Sequence, residues 1–154
     1  MLRTYLLLMK HFDREGGNLI LTDILDILNS GAQDNLRAEV AIFAARNLID
    51  AIDESLHADE VGFFGKIFEF ILGNANARDS YIIAKSSLFL MEEAGKILLE
   101  FKSQNSVIVS FIFDVFAKHE KLQGQAIDTL NQFCMYCKFN FSQQEVAVMH
   151  NFLQ

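Results

Sequence analysis

Apolar residues recur along this chain at three- and four-residue intervals, and no stretch sustains the two-residue alternation of a half-buried strand. The pattern predicts helices nearly throughout: 2–12, 18–29, 35–56, 60–73, 80–102, 106–121, 125–138 and a last one from Ser142. Residues 13–17, with Gly16 and Gly17, read as a break. Ser30-Gly31 reads as a glycine-terminated helix end. Asp59 reads as an N-cap, and Ser142-Gln143-Gln144-Glu145 has the capping-box pattern. Residues 74–79 form the clearest expected loop, 103–105 a second, and Gly124 a third break.

Some helices are more apolar than a surface position requires. In the 106–121 helix only Ser110, Asp114 and Lys118 form a polar stripe, at the spacing of an i,i+4 pair. A surface helix needs an apolar arc of little more than about 100°, so this one must be covered on several sides. Phe113 and Phe116 are expected in the core. The 60–73 helix is similar: Val61, Phe63, Phe64, Ile67, Phe68, Phe70, Ile71 and Leu72 occupy half the wheel, opposite Gly62, Lys66 and Glu69. In the 35–56 helix the seam is Ala45, Ile49, Ile52 and Leu56, with Arg46, Asp50, Asp53 and Glu54 across from it. Glu92, Lys96 and Glu100 are spaced for i,i+4 pairing on a wet face.

The expected fold is all-α: one domain over 1–154, seven or eight helices packed as antiparallel hairpins, either a compact bundle around 106–121 or a short HEAT-like stack. Two-helix units start about 45 residues apart, inside the roughly 40–47-residue period of HEAT and armadillo arrays. The residues themselves do not repeat, and later spacings shorten to about 36.

Composition narrows the function classes. Hydrophobic residues make up 51%, which excludes a disordered chain. There are 15 Phe and no Pro, so no proline-rich linker divides the chain. Thirteen basic against twenty acidic residues give a net charge of −7, which disfavours nucleic acid and anionic membranes as main partners. The apolar run after Arg3 is closed by Lys10, His11 and Asp13, too early for a signal peptide. The stretch 107–117 is shorter than the roughly 20 residues of a membrane span. Two cysteines make no disulfide framework, so a cytoplasmic chain with reduced thiols is expected.

Candidate chemistry is sparse. Residues 13–24 resemble an EF-hand loop in outline, with Asp13, Glu15, Gly17 and Ile20 at positions 1, 3, 5 and 8. Asn18 stands where the turn glycine belongs and Ile24 where the bidentate carboxylate belongs, so a helix-helix turn is expected instead. Cys134-Met135-Tyr136-Cys137, Phe141 and His150 have zinc-finger spacing, but position 154 is Gln and the fourth ligand is missing. The cysteines lie toward a helix C-terminus, the wrong end for a reactive thiolate. They are expected to be structural. His11, His57, His119 and His150 match no metal box and read as boundary residues. No nucleophile elbow, P-loop or dinucleotide fingerprint is present.

These observations point to a non-enzymatic protein-binding module, an adaptor, scaffold or regulator that offers Phe-rich helix surface, with no cofactor and no metal. Self-association is a second expected use of that surface. The alternative is a helical pocket protein for a small apolar ligand or a metal. A Phe-lined cavity beside the 106–121 helix would mark it.

Overall fold

The computed structural model describes residues 14–30, 34–49 and 58–137, and singly 143, 146, 147 and 150. The predicted helix at 2–12, the end of the 35–56 helix, and all but those four positions of the helix and capping box from Ser142 lie outside the described residues. The elements are α1 (Arg14–Ser30), α2 (Asn35–Ile49), α3 (Ala58–Gly73), α4 (Ala75–Asp79), α5 (Tyr81–Glu93) and α6 (Gly95–Leu98). A 3-10 segment (Leu99–Gln104) then leads into α7 (Asn105–Lys118), and a second (Glu120–Leu122) into α8 (Gln123–Cys137). The fold is all-α, with helices packed against one another and no strand among the described residues.

The order of neighbours is regular. α1 packs on α3 and α3 on α7, while α2 packs on α5 and α5 on α8. α1 pairs with α2, and α7 with α8. Arg46, near the end of α2, reaches Glu93 and the Phe89 ring near the end of α5. Three contacts along α5, α8 and their flanks share one separation, while Gln125 reaches Glu92 at 33 residues. His119 meets Arg78 and Thr129 meets Leu88, each 41 residues apart, and Tyr136 lies against Gly95 at the same separation. The pairing of the ends of α2 with α5 and of α5 with α8 sets these three helices running in one direction.

α7 is the covered helix the pattern predicts. Ile108, Val109, Phe111, Ile112, Phe113 and Val115 are buried, and α8, α4, α3 and both 3-10 segments pack around it. Ser110 and Lys118 are exposed and Asp114 is half-buried. Phe116 is only half-buried, not the full core residue expected. In α3, Phe63, Phe64, Ile67, Phe68, Ile71 and Leu72 are buried, whereas Gly62, Lys66 and Glu69 face outward. Phe64 and Phe68 are fully enclosed, and Phe68 meets Phe101 edge-on at 5.4 Å.

Six local expectations are corrected. No break occurs at 14–17, because α1 runs through Gly16 and Gly17. Two helical glycines cost about 1 kcal/mol each, an amount that burial of Ile24 and Leu28 outweighs. Asp59 lies inside the first turn of α3, not at its cap. The expected 74–79 loop is α4: Asn74 caps it by accepting from the Asn76 N–H at 2.9 Å, and Ala77 is fully buried. The predicted 80–102 helix breaks at Ala94 and again at Phe101 (φ −108°, ψ 31°), and that bend carries the Phe101 ring over Gly65 and onto Phe68. The expected 103–105 loop is the end of a 3-10 segment running into α7, and Gly124 lies within α8, the actual break being 119–122.

Candidate functional site

The loop with an EF-hand outline does not exist as a loop. Its positions from 14 onward are helical; Asp13 lies outside the described residues. Among the described residues no three His, Cys, Asp or Glu groups come together as a metal site. Cys134 is a free thiol, half-buried in the last turn of α8, and burial pushes its pKa up. That is the direction of an inert cysteine, not of a nucleophile. The Cys137 side chain, His11 and His57 lie outside the described residues, and His150 is exposed.

His119 is more than a boundary residue. Its Nε2 sits 2.7 Å from the carbonyl oxygen of Arg78, to which it donates, and its ring meets Tyr81 edge-on at 6.0 Å. It belongs to a polar cluster where α4 meets the end of α7. Arg78 Nε donates to Asp114 Oδ2 at 3.0 Å, and Nη1 donates to the carbonyl of Leu72 at 2.9 Å. The guanidinium lies 5.3 Å from the centre of the Phe111 ring. Lys118 donates to Asp79, and holds that carboxyl below its ordinary pKa. Asp114 and Lys118 therefore do not pair with each other as their spacing suggested. Each takes a partner from α4, 36 and 39 residues away. The cluster clamps a five-residue helix and an orphan carbonyl at the end of α3, and its charges are matched in pairs.

A second seam joins α2, α5 and α8. Arg46 pairs with Glu93 while lying 4.8 Å over the Phe89 ring. Glu92 accepts from Gln125, so its partner comes from α8. The Lys96 side chain lies outside the described residues.

Two surfaces among the described residues offer apolar side chains outward. One is on α2: Leu36, Val40 and Phe43, spaced i, i+4, i+7, are 65%, 46% and 47% exposed. They form one apolar ridge opposite the buried face of Ala38, Ala41, Ile42 and Ala45. The hydrophobic pattern held this signal, a helix with apolar residues on two opposite faces. The other surface is an open groove of ≈ 550 Å³ between α1 and α3. Its floor is Leu25, Leu28 and Phe70, with Asp26, Lys66 and Glu69 among the charged groups of its rim. It does not lie beside α7, where the pocket alternative places a cavity. The surplus apolar surface of α3 and α7, expected to reach a partner, is mostly spent inside the chain. No family model, curated protein or solved structure matches this chain.

Among the described residues, no helix is long and apolar enough to cross a membrane.

Proposed function

We propose that this chain is a non-enzymatic protein-binding module, a small cytoplasmic adaptor, scaffold or regulator that works through exposed apolar helix surface. The observation that carries this reading is the α2 ridge of Leu36, Val40 and Phe43. Single exposed apolar side chains are ordinary, but a contiguous row of three on one helix face is what a helix-packing partner covers. The ion pairs around Arg78 add support, since Arg78, Asp114, Asp79 and Lys118 are matched to one another within the chain. The partner is a protein, with self-association as a second use of the ridge.

The test places a photoreactive phenylalanine analogue at Phe43 and, as control, at Asp128, on the exposed side of α8. After irradiation in the native cell, a defined adduct at Phe43 that is lost in a Leu36→Asp variant supports the reading. Equal labelling at both positions overturns it.

A further inference from the structure

We infer that the α1/α3 groove is a docking site for a short amphipathic helix of a partner protein, with an apolar ridge and Lys or Arg on its flanks. This rests on the reading of the chain as a protein-binding module, but it concerns a surface other than the α2 ridge. Each wall is the flank of one helix. α1 contributes Thr22, Leu25, Asp26 and Asn29 at i, i+3, i+4, i+7, and α3 contributes Lys66, Glu69 and Phe70 at i, i+3, i+4. Leu25 and Phe70 are half-buried, so they offer apolar area at the floor, while Leu28 closes the bottom. A volume of ≈ 550 Å³ admits several apolar side chains from one face of a helix.

Charge selects the occupant. Asp26 and Glu69 stand on opposite walls, both exposed and with no ion pair among the described residues; Asp23 lies one turn before Asp26. Among the described residues that line the groove, Lys66 is the single basic group, against Asp26 and Glu69. The rim thus favours a cationic flank on the occupant and repels phosphate-rich partners such as nucleic acid or an anionic membrane. Its openness argues against a small apolar molecule, because such ligands bind where most of their surface is enclosed. A helix lying along the trough needs only one face covered.

The test titrates the full chain, labelled with 15N, with a synthetic amphipathic helix that carries Leu at i, i+3, i+4, i+7 and Lys on both flanks. The expected result is amide shifts confined to 22–29 and 66–70. Affinity should fall about fivefold for Asp26→Lys and again for Glu69→Lys, and rise for Lys66→Glu. The same peptide with Glu in place of Lys should bind at least about tenfold more weakly. All three substitutions are at exposed positions, and circular dichroism verifies folding. Shifts centred on Leu36, Val40 and Phe43 would overturn the groove proposal and leave the α2 reading standing. Equal binding of the Lys and Glu peptides would overturn it also. So would groove shifts that appear on raising the protein concentration alone, which would make the occupant a second copy. Tighter peptide binding by an Arg3→Glu, Lys10→Glu full-length variant would make the occupant the chain's own first segment, and would overturn it as well.

Discussion

The ring of Tyr136 lies flat against the backbone of Gly95, so near that a methyl group on Gly95 would overlap it. Tyr136 is in the last turn of α8 and Gly95 begins α6. The contact ties the end of α8 to the start of α6, and it explains a glycine where the helix resumes. Gly95→Ala gains about 1 kcal/mol of helix propensity but forces the ring outward, an overpacking cost of about 1–3 kcal/mol. The expected net loss is about 1 kcal/mol, a fall of roughly 2–4 °C in a thermal melt. Tyr136→Ala in the same background should convert the loss into a gain relative to Tyr136→Ala alone. A double-mutant cycle showing no coupling between the two positions would contradict this contact.

Arg78 and Asp114 should not be equivalent when truncated. The Arg78 side chain is 19% exposed and holds Asp114, the Leu72 carbonyl and the Phe111 face together. Asp114 is 47% exposed and loses one partner. Asp114→Ala should cost about 1 kcal/mol and Arg78→Ala about 2 kcal/mol, since the latter also leaves a helix-end carbonyl without its donor. Lys118→Ala, at an exposed pair, should stay within about 0.5 kcal/mol. Urea unfolding midpoints for the three variants check this order. Equal effects of Asp114→Ala and Lys118→Ala would restore the i,i+4 pairing that the spacing alone suggests.

Asp79 supplies a pH test with a definite sign. Lys118 holds the folded-state pKa of Asp79 below its ordinary value of 3.8. A depressed carboxylate contributes stability that is fully present above its unfolded value and is lost as pH falls through the folded one. That contribution should begin to fall near the unfolded value of about 3.9 and be gone once pH drops below the lowered folded value. An NMR titration of the Asp79 side-chain carbon should give a midpoint under 3.8 in the native chain, returning upward to the ordinary carboxylate range in Lys118→Met. A midpoint that does not move would mean Lys118 is not its partner in solution.

The fold class was legible because the hydrophobic period was unbroken, and α3 and α7 declared their burial through their Phe content. What local pattern could not show is what tertiary contacts overrule. Gly16 and Gly17 look like punctuation, yet α1 runs through them because Ile24 and Leu28 anchor the helix further on. Asn74 and Asn76 read as loop residues, and their capping bond instead starts α4. The break at Ala94 and Phe101 leaves no mark in periodicity, since it follows from where the Phe101 ring must go. At the sites, spacing alone marks Asp114 and Lys118 as a polar stripe, but their partners lie on a helix with the composition of a loop. The α2 ridge was readable in principle. The Ala45 and Ile49 seam lies on the opposite face and carries the stronger periodic signal.

Phe113 and Phe116 lie on one helix three residues apart and should differ when cut back. Phe113 is 8% exposed and Phe116 half-buried, because the chain turns away into the Glu120–Leu122 segment just beyond it. Phe113→Ala removes a ring from close-packed surroundings and should cost about 3 kcal/mol or more. Phe111, fully buried and under the Arg78 guanidinium, sets the upper end at about 5 kcal/mol. Phe116→Ala should cost roughly half as much as Phe113→Ala, since burial forgone scales with area. Against a typical total of about 5–15 kcal/mol, the Phe111 variant stands at the edge of folding. Phe43→Ala, on the exposed α2 ridge, should stay within about 0.5 kcal/mol. Denaturation of the four variants gives the expected order Phe111, Phe113, Phe116, Phe43. A large loss at Phe43 would place that ring in the core and remove the ridge from the list of surfaces open to a partner.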